Sequence, residues 1–403
     1  VSNRCIDMGE APLSDITIID FTQVRAGPWS TQILGKLCAE VIKIERPGTG
    51  ARERQDEPKQ AGFSATHLSR NRDKKSVVID LKSDRGREIA HDLTRDADVV
   101  VENFGPGAME RLGLDYETLS ADNPGLVFAS IKGYGDEGPH SHKKGVDLIM
   151  QAEGGIMSVT GPEGGPPVKV GQAIGDIGAG LYNVIGILTA LYNREQTGEG
   201  QKFSTDLFGA IVSFLEEYIP RYEMTGENPT PYGRRHQTTV PYEVAETEDG
   251  YVAFYPAGGE DDWERFATEV IGSEKLLEYD SREERMKNYM AIAAEIHPVL
   301  KEKTTDEWMD IFDGLNWPNG PLNEVSDVIE HPQAQALDYV KEFDHEEAGE
   351  ITLHGHPLHF SDSESKFEAG APKLGQHTEE VLETHLGIDA EEVETLREED
   401  VVE

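Results

Sequence analysis

One carboxylate in this chain has a setting that could do chemistry. Asp176 lies in Val170-Gly171-Gln172-Ala173-Ile174-Gly175-Asp176-Ile177-Gly178-Ala179-Gly180, where an apolar period predicts a helix over about 177–193. An aspartate that opens a helix is ordinarily an N-cap accepting backbone N–H bonds. The glycines admit a second reading. Gly175, Gly178 and Gly180 remove side chains around the carboxylate, leaving room for a bulky substrate group and letting backbone amides approach a developing oxyanion. The helix N-terminus would keep the acid ionised and therefore nucleophilic. Other chemistries find no motif: Gly-x-Ser-x-Gly, the phosphate-loop pattern and a Gly-x-Gly-x-x-Gly after the first strand are all missing. His354, His356 and His359 read as alternation along an exposed strand rather than as metal ligands, so no metal is expected.

The elements that must position Asp176 follow from hydrophobic periodicity. Short β-branched runs at 16–20, 41–45, 77–81, 99–101 and 126–131 alternate with helical patterns over 30–40, 83–96 and 106–112. Near-continuously apolar strands separated by helices describe an α/β fold, a doubly wound parallel sheet covered on both faces. Ligands collect beyond the carboxyl ends of such strands. A strand at 202–206 and a helix at 207–217 follow the long helix, and residues 224–240 read as a linker. Asp249-Gly250 marks a hairpin opening a smaller α+β unit. The expected divisions are 1–200 (large domain), 201–240 (helix and linker), 241–325 (small domain) and 326–403 (tail with a strand pair and an acidic helix).

Charge narrows the function classes. The chain has 403 residues with 77 Asp+Glu against 37 Lys+Arg, a formal net charge of −40. That field excludes nonspecific nucleic-acid binding and opposes adhesion to an anionic membrane. No run of 18 apolar residues predicts a membrane-spanning helix. Val1-Ser2-Asn3-Arg4 lacks the apolar core of a secretory signal. The two cysteines, Cys5 and Cys38, make no disulfide framework, so a reducing cytoplasm is expected. The acidity is uneven: residues 1–111 hold 18 acids and 17 bases, the remainder 59 and 20. Scattered surface acid in a folding chain reads as adaptation to high salt, and the balanced first quarter as local positive charge for an anionic ligand.

Several motifs together resemble the class III CoA-transferase family, that of formyl-CoA transferase. They are Asp20-Phe21-Thr22 with Ala26-Gly27-Pro28, Val41-Ile42-Lys43-Ile44-Glu45-Arg46-Pro47-Gly48, Glu102-Asn103-Phe104-Gly105-Pro106-Gly107, Asp176 to Gly180, Thr197-Gly198-Glu199-Gly200-Gln201 and Gly375-Gln376-His377-Thr378-Glu379-Glu380-Val381-Leu382. They run in family order across nearly the whole chain. The resemblance implies an interlocked homodimer, with a Rossmann-like large domain built from both chain ends and a small central domain. It places the catalytic aspartate on Asp176, which would pass through an aspartyl anhydride and an aspartyl-CoA thioester. Coenzyme A would enter as acyl-CoA substrate, with no permanently bound cofactor. The implied CoA contacts are Gln23, Arg25 and Ala26 after the first strand, Arg46 toward the adenosine phosphate, Ile79 and Lys82 flanking the adenine with Lys82 a phosphate partner, Asn103 and Phe104, Arg111, and Lys144.

Departures from the family pattern sharpen the expectation. Its racemases carry Gly-His-Asp where this chain has Gly145-Val146-Asp147, and valine moves no proton, which favours transfer over racemisation. Arg25 stands where formyl-CoA transferase has a glutamine near the reacting acyl group. A cation there suits the distal carboxylate of a dicarboxylic acid such as succinate or mesaconate, with Arg234 and Arg235 as further candidates. Gly258-Gly259 is the nearest counterpart of the family's glycine-rich lid. Two alternatives remain from other classes: a 2-methylacyl-CoA racemase and a non-catalytic CoA-binding protein. The charge distribution predicts that activity falls when molar salt is replaced by dilute buffer, because the 59 acids beyond Arg111 then repel unscreened. A rate unchanged across a salt series would contradict salt adaptation.

Overall fold

The computed structural model describes residues 11–363 and 369–403. Its frame is a six-stranded parallel sheet: β1 (Thr17–Asp20), β2 (Glu40–Glu45), β5 (Lys74–Val78), β6 (Val99–Glu102), β7 (Val127–Lys132) and β8 (Lys202–Asp206). A small hairpin of β3 (Lys59–Gln60) and β4 (Phe63–Ser64) lies between β2 and β5. The order across the sheet is β5-β2-β1-β6-β7-β8. Winding therefore proceeds from β1 in one direction, then restarts at β6 in the other, and the crevice between them is where such folds bind ligands.

Alternation along the strands explains why both faces are covered. Ile18, Val41, Val99 and Val127 pack with α1 (Ala26–Lys36) and α7 (Ile174–Thr197), through Leu34, Val184 and Ile187. Their neighbours Ile19, Ile42, Val100 and Phe128 face the opposite layer, with Ile89 of α3 (Asp84–Thr94) and with Val381, Leu382, Val393 and Leu396 from the C-terminal helices. The C-terminal segment thus completes the core begun by the first hundred residues. The helix over Ile174–Thr197 is long and apolar enough to cross a membrane by length and mean hydropathy, which the absence of an 18-residue apolar run did not foreshadow; half of that stretch is buried as a core helix.

Two compact units form. One comprises the residues up to Ile156, Val170–Pro220 and Gln335 onward; the other comprises Met157–Lys169 and Arg221–Ala334. Relative to the expected divisions, residues 201–220 join the large unit and 157–169 join the small one. In the small unit β9 (Glu243–Glu246) and β10 (Tyr251–Phe254) form the expected antiparallel hairpin, with β11 (Asn319–Pro321) beyond. Their core is aromatic, with Phe254 stacked on Phe266 and Phe312. The expected strand pair of the tail is β12 (Val340–His345) and β13 (Gly349–His354). That strand stops at His354, and His356 is buried beyond it, so the histidines do not alternate along one exposed strand. Burial lowers His354 and His356 to about 4, leaving both rings neutral. Cys38 is disulfide-bonded, contrary to the reduced state expected of it, and Cys5 lies outside the described residues.

The interior also holds charge. Asp20, Lys43, Glu53 and Lys74 are fully or almost fully buried at the carboxyl side of β1 and β2. Lys74 Nζ lies 3.1 Å from Asp20 and Lys43 Nζ 3.5 Å from Glu53. Burial pushes the Asp20 carboxyl up, but Lys43, Lys74 and the hydroxyls of Thr22 and Thr31 outweigh it, and the group sits well below its ordinary range. Removing one partner leaves an uncompensated buried charge. Lys74→Met is therefore expected to cost about 3–5 kcal/mol, read as a lowered urea midpoint at constant molar salt; an unchanged midpoint would refute the pairing.

Candidate active site

The loop after β1 is built by side chains that hold its backbone. Thr22 N–H donates to Asp20 Oδ1 at 2.8 Å, and Lys43 Nζ donates to Thr22 O at 2.6 Å. Asn103, just after β6, bridges the crevice: its Oδ1 accepts from Gln23 N–H at 3.1 Å and its Nδ2 donates to Gln23 O at 2.8 Å. Glu53 Oε2 accepts from Val24 N–H at 2.8 Å, and Arg70 Nη1 donates to Val24 O at 3.1 Å. All six backbone polar groups of Thr22, Gln23 and Val24 thus have side-chain partners. The need for such a clamp is visible at Val24, whose φ of 75° is left-handed. A β-branched residue there costs on the order of 1–3 kcal/mol and persists only where its surroundings over-determine it.

The clamped loop delivers Arg25 and the first turn of α1 to Asp176. Asp176 is the third residue of α7; the N-cap position belongs to Ala173, which makes no side-chain cap, so the capping reading does not apply. The Asp176 carboxylate accepts the Ala26 backbone N–H. Burial, with Asp147 adding repulsion, pushes its carboxyl up to about 6 against Arg25, the Ala26 N–H and Arg70. The helix N-terminus alone does not hold it at an ordinary carboxylate value. Asp147 opens α6 (Asp147–Glu153) and is itself fixed, with Oδ1 accepting Gly175 N–H at 2.9 Å and Oδ2 accepting Gln151 Nε2 at 2.7 Å. Above about pH 6 the site therefore presents an ionised, partly desolvated carboxylate beside a guanidinium.

The glycines of α7 serve packing rather than substrate space. A Cβ on Gly180 would meet Ala26 O at 2.8 Å, and one on Gly178 would meet the Phe214 ring at 2.7 Å. One on Gly175 would meet Asp147 Oδ1 at 3.1 Å. Gly180 is what lets α1 approach closely enough for the Ala26 N–H to reach Asp176.

The expected ligand contacts fall into three groups. Gln23, Arg25, Ala26, Asn103 and Phe104 gather at the crevice between β1 and β6, with the Asn103 amide committed to the Gln23 backbone. Arg46, Lys82 and Arg111 are exposed beyond the carboxyl ends of β2, β5 and β6, and Lys144 is exposed in the loop before α6. Among the described residues these four cations and Arg25 form no ion pair, whereas Lys75, Arg85 and Arg194 do. Unpaired cations on so acidic a chain point to a ligand that brings its own negative charge. Ile79 does not fit: at 1% exposure its side chain belongs to the core and offers a purine no surface.

Other candidates sit in fixed surroundings. Arg235 is pinned between Tyr232 and Tyr289 and ion-paired to Glu163 at 2.6 Å, so it is not a free anion receptor, and Arg234 lies over the Tyr251 ring. Gly258 donates its N–H to Asp262 at 2.6 Å, and Gly259 is the N-cap of a short helix, Glu260–Arg265. Among the described residues no group of His, Cys, Asp and Glu is arranged to hold a metal. Sequence reasoning missed Glu53 and Arg70 as site builders, and it quoted Asp147 in the Gly145-Val146-Asp147 motif without a role toward Asp176. The available signal was Lys43, a lysine between Ile42 and Ile44 in a buried strand, which must have a buried acid partner. Asp147→Asn should move Asp176 from about 6 toward its ordinary 3.8. An infrared titration of the carboxylate checks this, and an unmoved midpoint would assign the elevation to burial alone.

Comparison with known proteins gives the family and the fold. CoA-transferase family III matches residues 13–378. The chain is 35% identical to succinyl-CoA:mesaconate CoA-transferase of Haloarcula marismortui, over 94% of this chain and 97% of that one. It is 34% identical to succinyl-CoA:glutarate CoA-transferase of Mus musculus, over 96% and 89%. A CAIB/BAIF family protein from Brucella suis superposes with a TM-score of 0.85 at 32% identity, covering 93% of this chain and all of that one. With the family signature spanning nearly the whole chain and an aspartate held at the crevice of its parallel sheet, this protein is a member of CoA-transferase family III.

Proposed function

We propose that the chain moves coenzyme A between dicarboxylic acids, with succinyl-CoA as donor and a small unsaturated dicarboxylate such as mesaconate as acceptor. The observation that carries this reading is Asp176, desolvated, bonded to the Ala26 N–H and facing the unpaired Arg25. The names of the Haloarcula and mouse relatives, both acting on succinyl-CoA, support it. An Asp176 oxygen attacks the thioester carbonyl, the C–S bond breaks, and the CoA thiolate leaves with the electron pair. The resulting anhydride is attacked by that thiolate at the Asp176 carbonyl, which expels the donor acid as carboxylate and leaves an aspartyl-CoA thioester. The acceptor carboxylate reverses the sequence. Both covalent states are open to hydrolysis, so the crevice must exclude water. Arg46, Lys82, Arg111 and Lys144 would take the phosphates of CoA, which enters as substrate rather than as a bound cofactor.

The assembly in this reading is a homodimer in a salt-rich cytoplasm. Leu181, Tyr182, Ile185 and Tyr192 form an exposed apolar stripe along α7 that a second copy would cover. Racemisation is disfavoured because Val146 supplies no proton donor where a two-base mechanism needs one.

Asp176→Ala should abolish CoA transfer from succinyl-CoA to mesaconate while CoA affinity stays within about threefold, since the change removes a group needed only for chemistry. Retained transfer would sink the assignment. Deuterium washing into the α-position of a 2-methylacyl-CoA without CoA transfer would replace it with racemisation. With Asp176 at about 6, the rate should rise with pH through that value and level off above it, because only the ionised form attacks.

A further inference from the structure

Arg70 is the last residue of α2 (Ala65–Arg70), and nothing in the mechanism above uses its charge. It reaches the loop after β1 and lies within electrostatic range of Asp176. Its Nη1 holds Val24 O at 3.1 Å, Arg25 follows, and the next residue, Ala26, gives its N–H to the Asp176 carboxylate. One tripeptide thus separates the Arg70 guanidinium from the nucleophile. The bond to Val24 is the only hydrogen bond of the Arg70 side chain among the described residues, and Arg25 makes none from its guanidinium. Burial is the main cost of keeping Arg70 charged, Arg25 adds repulsion, and Glu53, Asp176 and Asp56 oppose both; Asp176 is the acid that Arg25 and Arg70 have in common. Glu53, a fully buried acid that also acts on Arg70, is committed to Lys43 and to Val24 N–H.

Charge balance through the reaction gives this arrangement its meaning. In the resting site two guanidinium groups share the negative charge of Asp176. Both covalent states, anhydride and thioester, convert that carboxylate to a neutral acyl group. The two half-buried cations then lose the carboxylate they share, leaving Arg70 only Glu53, already committed to Lys43, and Asp56, unless the acyl group in the site carries a carboxylate of its own at its far end.

We propose that Arg70 is a specificity-determining residue of the acyl subsite, which with Arg25 holds the distal carboxylate of a dicarboxylic acyl group while Asp176 is acylated. This rests on the dicarboxylate reading above and adds to it a second cation and a reason for the selectivity. Arg70 engages the distal carboxylate through its free Nη2 and Nε while Nη1 keeps the loop in place.

The test compares acylation by succinyl-CoA with acylation by butyryl-CoA, which has the same chain length and a methyl in place of the distal carboxylate. The wild-type enzyme should favour succinyl-CoA by at least about a hundredfold in kcat/KM, the scale on which a buried carboxylate partner discriminates. Arg70→Met should reduce that ratio by about tenfold or more, mainly through succinyl-CoA, and Arg70→Lys should restore part of it by returning the charge without the fork. Equal losses toward both substrates in Arg70→Met would show a purely structural hold on Val24 and overturn the proposal while leaving the dicarboxylate reading intact. A wild-type enzyme that does not distinguish the two substrates would overturn both. Should Arg70→Met not fold, Arg70→Lys decides: an unchanged succinyl-to-butyryl ratio refutes the role and a reduced ratio supports it.

Discussion

The structure depends on a set of charges that the sheet buries beneath its own ligand-binding edge. Asp20, at the end of β1, is held by Lys74 from β5 and approached to 3.9 Å by Lys43 from β2, while Lys43 also faces Glu53. Taking such groups out of water is costly, and only mutual pairing with full hydrogen bonding offsets it. Here the pairing does more than balance charge. The same Lys43 and Glu53 hold Thr22 O and Val24 N–H, so the geometry of the β1–α1 loop is determined by ions that cannot move without exposing one another.

From that loop the consequences run toward Asp176. A left-handed Val24 turns the chain so that α1 begins at Ala26, and Gly180 of α7 lets the two helices touch. The carboxylate then receives one backbone N–H and a neighbouring guanidinium, while burial and Asp147 oppose its ionisation. The balance leaves it ionised at neutral pH yet poorly solvated. A carboxylate in bulk water is a weak nucleophile toward a thioester, and stripping its hydration while keeping its charge is the property that an aspartate nucleophile requires.

Much of this was legible in the sequence where local pattern and burial coincide. Strands covered on both faces must be apolar throughout, so β1, β2, β6 and β7 were recognisable, as was Asp176 as the start of a long helix; β8, a polar strand on the sheet edge, was marked instead by the turn that precedes it. The N-terminal half of β5 was not, because Lys74-Lys75-Ser76 reads as polar surface; Lys74 is buried only because Asp20 lies two strands away, a fact no window of neighbouring residues contains. The same limit explains Glu53 and Arg70, which look like ordinary surface charge between polar neighbours. The glycines of α7 were misread for a related reason: their spacing announced a close approach, but not that protein atoms rather than substrate would make it. Arg234 and Arg235 looked free until Tyr232, Tyr289, Glu163 and Tyr251 folded around them.

The central claim is that the Asp176 carboxylate itself becomes acylated. The most direct measurement is to add hydroxylamine or borohydride during turnover with succinyl-CoA and mesaconate, and to map the modified position by peptide mass spectrometry. The account predicts a single modified residue, Asp176, that depends on acyl-CoA being present. An Asp176 peptide recovered unmodified from an enzyme that is turning over would contradict it.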